Sequence, residues 1–305
     1  MGILLGLAAG FCFATASILA RFGMRHRSRD DGLFMSIFMN LLLLGALTLI
    51  IDLPEWDTGG IMALSLGGVL GTFGGRSANL RAVRLIGPSR ANAFLTGGPL
   101  VAAVGGWFVL DERVSLLSGV GGALVLAGLY RIVRSGATAA AVAPVEAPAG
   151  DVARHDEAEA GSSGFLIALL APVLFGLAFV VRKWGLEFYP TAVGGAFIGA
   201  AAGITVQVFS DTFTGHLPRR LAENLRRIPW WFVGAGIFTS AALLVQFLAF
   251  DHLPAWVVSL LQGTQVLWTL LIASVVLRRE EKIDSSLILS ILIVFVGVAA
   301  VTIQY

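Results

Sequence analysis

Thr72, Arg76 and Asn79 fall at four- and three-residue steps in a largely apolar part of the sequence, so a helix would carry them on one face. An arginine on such a face offers a planar fork of donors suited to a carboxylate or a phosphate. The competing reading is that Arg76, less than two turns before Arg81, stretches to a nearby membrane surface. Ser259, Gln262, Gln265 and Thr269 form a second polar stripe at helical spacing, and Asn92, Thr96 and Pro99 a third. Gln246 follows Thr239 by seven residues, again two helical turns. Hydroxyls and amides facing lipid would be costly, so they must face protein or a water-filled cavity. The candidate substrate-binding set is therefore Arg76, Asn79, Thr96, Gln246, Gln262 and Gln265, with hydrogen bonding between helices as the alternative role.

Other chemistries find less support. The acid pairs Asp111-Glu112 and Glu280-Glu281 adjoin Arg113 and Lys282 at the ends of apolar runs, an arrangement that reads as ion pairs at a membrane surface. His252 has no ligand partner at metal spacing, and Cys12 is the only cysteine, which excludes a disulfide scaffold. No carboxylate falls within an apolar run, so no proton carrier stands out and energy coupling is left open. The sequence calls for no metal, no cofactor and no catalytic residue.

The elements that must position these side chains follow from composition. Hydrophobic residues make up 57% of the 305, and charged residues only 13%, about half the usual share in a soluble domain. Ten stretches lack Asp, Glu, Lys and Arg altogether: Met1–Ala20, Gly32–Ile51, Gly59–Gly75, Ala91–Leu110, Val114–Tyr130, Gly161–Val181, Phe188–Ser210, Ile228–Phe250, Leu253–Leu277 and Ser285–Tyr305. Each is long enough to cross a hydrocarbon core of about 30 Å as a helix. The expectation is an all-α polytopic membrane protein with ten transmembrane helices. A soluble enzyme is excluded, and the long uniform runs do not suit a β-barrel, whose strands alternate over about ten residues. Small residues four apart, as in Gly67/Gly71/Gly75 and Gly195/Gly199/Gly203, are expected to let helices pack closely.

Basic residues set the orientation. Connections that follow odd-numbered runs hold 18 lysines and arginines; those that follow even-numbered runs hold only Arg113, Arg182 and Lys183. The odd loops should therefore be cytoplasmic and both termini outside. The first run has its basic residues after it rather than before it, so it reads as an uncleaved helix and not as a signal peptide.

Residues 135–162, rich in Ala, Pro and Gly and then acidic, read as a flexible linker. It separates two five-helix units, 1–134 and 163–305. Their ends resemble each other: Glu112 and Glu281, like Gly128 and Gly297, stand 169 positions apart. A unit with an odd number of crossings must invert when repeated, and inverted repeats are an architecture of secondary transporters.

The stretch Ala82 to Ala91 with its Gly87-Pro88-Ser89, then Pro99-Leu100, Asp111-Glu112-Arg113-Val114, Gly119 and Gly128, resembles the end of an EamA-type repeat of the drug/metabolite transporter superfamily. Ala249 to Pro254, Glu280-Glu281-Lys282 and Gly297 resemble it more weakly. The resemblance implies a central cavity lined by runs 1, 3, 4, 6, 8 and 9, with runs 5 and 10 as scaffold. The second copy departs from it, having Gln262-Gly263-Thr264-Gln265 where the first has Pro99. Members are commonly drawn with both termini inside, which the arginines here argue against. The expected function is a permease of the cell membrane, moving a small polar or amphipathic metabolite by alternating access. A lipid-linked substrate flippase and, further off, an integral membrane enzyme are the alternatives. The implied partners are a small-molecule substrate and the lipid bilayer, not nucleic acid; oligomeric state is open.

Overall fold

The computed structural model describes residues 1–26, 33–51, 53–86, 88–134, 162–215, 217–218, 222, 230–276 and 285–304. The expected linker and the Glu280-Glu281-Lys282 group lie outside the described residues. Among those described there are helices and no strands, as membrane-spanning backbone requires when every polar group must be satisfied within its own segment. The helices are α1 (Gly2–His26), α2 (Leu33–Thr48), α3 (Thr58–Gly68), α4 (Arg76–Ile86), α5 (Pro88–Leu95), α6 (Gly98–Leu110) and α7 (Leu116–Arg134). After the linker come α8 (Ser162–Phe188), α9 (Ala192–Phe213), α10 (Trp230–Phe250), α11 (Ala255–Gly263), α12 (Gln265–Val276) and α13 (Ser285–Thr302). A π-helical stretch, Val69–Gly75, joins α3 to α4 as one rod.

Among the described residues eight stretches are long and apolar enough to cross a membrane, and Leu33–Thr48 and Ile288–Thr302 are shorter apolar helices. Two of the eight, Ala93–Leu110 and Ala255–Ile272, each run across a break between two helices. Local sequence marks several ends. Asp57 accepts from the Gly60 amide and Thr191 from that of Gly194, capping α3 and α9.

Packing crosses between the parts of the chain. α1 lies against α10, α11 and α12, whereas α8 lies against α3, α4, α5 and α6. α2 packs on α9 and α10, and α9 on α2 and α3. α7 and α13 pair with each other, so closely that a Cβ on Gly297 would fall 2.6 Å from the Gly121 carbonyl oxygen. The glycine stripes do the expected packing. A Cβ on Gly68 would meet the Gly199 oxygen at 2.2 Å, and one on Gly75 would meet the Phe175 ring at 3.0 Å.

Two helices continue past the charges that ended their runs. Arg182 and Lys183 are not in a connection: α8 carries them inward of its end at Phe188. Asp211 is likewise inside α9, buried in its last turn, which corrects the expectation that no carboxylate lies within a spanning segment. A single charge costs a long apolar helix less than unwinding several backbone hydrogen bonds in lipid would.

Candidate substrate site

The third rod, α3 through α4, widens into its π-helical stretch where it meets α8. There Arg182 is 5% exposed and its Nη2 donates to Thr72 Oγ1 at 3.1 Å. Thr72 belongs to the π-helical stretch, a local widening that often marks a functional site. The arginine fits because glycines face it: a Cβ on Gly67 would lie 2.6 Å from its Cγ, and one on Gly71 2.8 Å from Nη2. Its guanidinium carbon is 5.9 Å from the centre of the Phe247 ring, within cation–π range. Nε is buried with no hydrogen-bond partner.

The two broken rods come next. Between α5 and α6 the chain turns at Thr96-Gly97, and Thr96 Oγ1 donates to the Ala93 carbonyl at 2.7 Å. Between α11 and α12 it turns at Thr264, whose Oγ1 donates to the Leu261 carbonyl at 2.6 Å. A hydroxyl that returns to the backbone in this way competes with the helical ladder. A glycine of the other part of the chain backs each break. A Cβ on Gly176 of α8 would lie 2.6 Å from the Gly98 oxygen, and one on Gly10 of α1 3.2 Å from Thr264 Oγ1.

The six residues expected to bind substrate are distributed as follows. Gln246 is wholly buried on α10, and neither its Nε2 nor its Oε1 has a hydrogen-bond partner. Gln262 and Gln265 stand on either side of the Thr264 break, so the expected stripe on one continuous helix is split between α11 and α12. Gln262 Oε1 is buried without a partner. Thr96 marks the other break, with its hydroxyl turned to the backbone. Arg76 opens α4 half-buried, and Asn79, one turn further on, has a buried Oδ1 without a partner. α4 packs on α8 and α5, and α11 on α6, α1 and α8; the rods of Arg76 and of Gln262 therefore share α8 as a neighbour.

Other polar groups lie beyond that set. Ser36 and Asn40 of α2 bond Thr239 and Ser240 of α10, forming a seam between those helices. Gln207 Nε2 donates to the buried Asp211 carboxylate at 2.9 Å. Glu112 does form an ion pair, but with Lys183 at 2.9 Å, not with the neighbouring Arg113. Asp111 at φ 49° reverses the chain after α6, and a Cβ on Gly106 would lie 2.6 Å from Glu112 Oε2. The carboxylate is thereby folded back along its own helix, where Glu112 Oε1 also accepts from the Ala255 amide at the start of α11. Lys183 donates in addition to the Leu253 carbonyl. Among the described residues no group of three or more His, Cys, Asp and Glu side chains could hold a metal ion.

Long apolar helices, two of the crossing rods broken midway, define a multi-pass membrane protein. The chain belongs to the EamA-like transporter family, whose model matches residues 1–134 and 162–303. This agrees with the drug/metabolite transporter resemblance read from the sequence. A solved structure described as "Crystal structure of protein" is similar in fold, with a TM-score of 0.70 at 16% identity, covering 99% of this chain and 96% of that one. No curated relative matches the chain.

Proposed function

We propose that the chain is a secondary transporter, moving a small polar or amphipathic metabolite by alternating access between two inverted five-helix halves. The halves are residues 1–134 and 163–305, giving ten crossings with the two shorter apolar helices included, and residues 135–162 join them. The observation that carries this reading is the pair of breaks, at Thr96-Gly97 and at Thr264, each backed by a glycine of the other half. Discontinuous helices in corresponding positions of two repeats point to a substrate site between them. The packing supports the same symmetry: α1 lies on the tenth to twelfth helices as α8 lies on the third to sixth. In this reading Gln262, Gln265 and Thr96 at the breaks, with Gln246, Asn79 and Arg76, border the path of the substrate.

The orientation rests on the same bias of basic residues. Arg182 and Lys183 lie inside α8, as Arg21, Arg25, Arg76, Arg81, Arg84, Arg90, Arg131 and Arg134 lie inside α1, α4, α5 and α7, so the excess on the odd side keeps its sign. Odd connections then face the cytoplasm and both termini face outward across the cell membrane.

The test is counterflow in proteoliposomes of the purified full chain, loaded in turn with pools of amino acids, sugars, organic acids and organic amines. Exchange of labelled solute from at least one pool is expected, saturable and absent from empty vesicles. Leak-like, unsaturable entry from every pool would refute the transport reading.

A further inference from the structure

Arg182 lies far from the ends of the helices that hold it. Thr72, its hydroxyl partner, stands midway along the rod from Thr58 to Ile86, about 20 Å from either end at 1.5 Å per residue. Long side chains on a helix lean toward its N-terminus, so Arg182 leans away from the nearer end of α8 at Phe188. Snorkelling is thus not available to it.

Among the described residues no acid is paired with it, and Glu187, five residues further along the same helix, is exposed. The stretches that wrap the guanidinium, Thr58–Gly75 and Trp230–Phe250, contain no charged residue. On α9, Gly203 is the residue against Thr72. Asp211 is eight residues further along, about 12 Å, and holds Gln207. Glu112, beyond α6, takes Lys183. Of five donors, Arg182 gives one to Thr72, while Phe247 offers only a ring face and Nε has no partner. A cation held in this way in a membrane is costly unless an anion joins it. The cradle of Gly67 and Gly71 nevertheless holds it in place.

We propose that Arg182 is the anchor for a small soluble organic anion, a carboxylate or a phosphate ester, bound between the π-helical stretch and α10. Thr72 is the positioning residue that orients the guanidinium fork. The anion is the transported substrate, a clause that rests on the transport reading above; the binding site itself does not.

The experiment titrates the purified full chain with matched probes, following melting midpoint and dissociation constant. The pairs are succinate against succinamide, acetate against acetamide, and glycerol 3-phosphate against glycerol. At least one anion is expected to raise the midpoint while its neutral partner does not. R182Q should weaken that anion about ten- to a hundredfold, the scale of a charged hydrogen bond. R182K should fall between, keeping the charge and losing the fork. T72V, which leaves the charge in place, should weaken it by about threefold to tenfold, and decides the matter if R182Q does not fold. Equal anion binding in wild type and variants, stabilisation by neutral probes alone, or no response to any pair would overturn the site. So would stabilisation by phosphatidylglycerol but by none of the small anions, which would assign the arginine to a lipid headgroup. Counterflow of the stabilising anion separates the two readings. Arg182-dependent binding without any flux leaves the site and removes transport; flux of neutral solutes untouched by R182Q does the reverse.

Discussion

Thr96 and Thr264, 168 positions apart, each interrupt a membrane-crossing rod by donating the side-chain hydroxyl to the carbonyl three residues earlier, on Ala93 and on Leu261. One rod has Pro99 just beyond its break; the other has no proline there. The shared threonine, with a glycine beside it, is therefore the common device. Thr96→Val and Thr264→Val should each keep the fold, at a cost of about 0.5–1.5 kcal/mol for the lost hydrogen bond. Each should lower the counterflow rate more than it lowers stability, and serine should restore both. Thermal unfolding and flux measured on the same preparations check this; valine variants with wild-type flux would contradict it.

The sequence made the class of fold legible because an apolar run long enough for a bilayer has few other uses. It also made the glycine stripes legible as packing surfaces, though not what packs on them. Arg182 and Asp211 were hidden by the criterion that found the helices: each is the charge at which an uncharged run stops, while α8 and α9 continue beyond it. The signal that was present is the small-residue groove of Gly67 and Gly71, wide enough for a long side chain. Glu112 was readable as half of an ion pair. Its partner was not, because Lys183 is 71 positions away and is reached only through the left-handed turn at Asp111. Gln246 was readable as a polar group that must avoid lipid, but complete burial without a partner depends on how α10 is rotated against its neighbours.

Close approach of α3 and α9 rests on Gly68. A Cβ there would lie 2.2 Å from the Gly199 oxygen and 2.6 Å from its Cα, backbone atoms that cannot swing aside. Gly68→Ala should destabilise the protein by about 1–3 kcal/mol or more, as overpacking does. Gly119→Ala is the matched control, because its Cβ would meet only a Val114 methyl at 3.6 Å. Chemical denaturation of both variants in the same detergent measures the difference. Equal stability would mean that the two helices are not held this closely.

Sidedness can be read with single cysteines in a Cys12→Ala background. A cysteine at Glu55 should react with an impermeant maleimide added to intact cells. One at Asp156 should react only after the membrane is opened, since its connection follows an odd-numbered run. Labelling of Asp156→Cys from outside would reverse the proposed orientation.

Glu112 and Lys183 tie α6, α8 and the start of α11 at one point, through the ion pair, the Ala255 amide and the Leu253 carbonyl. Glu112 is the more buried partner, its side chain 8% exposed against 22% for the lysine, and its Oε2 has no hydrogen-bond partner. Removing the lysine therefore strands a carboxylate, whereas removing both charges does not. Lys183→Met should cost about 1–3 kcal/mol, and Glu112→Gln about the same or less, because the amide oxygen can still accept from Ala255. The double variant should recover part of the loss, giving a coupling energy of about 0.5–3 kcal/mol. If the tie holds one end of the transporter shut, the double variant should also admit impermeant reagents to a cysteine at Ser259 more readily than wild type does. Additive losses, with no change in reactivity at that cysteine, would reduce the pair to a solvated surface contact.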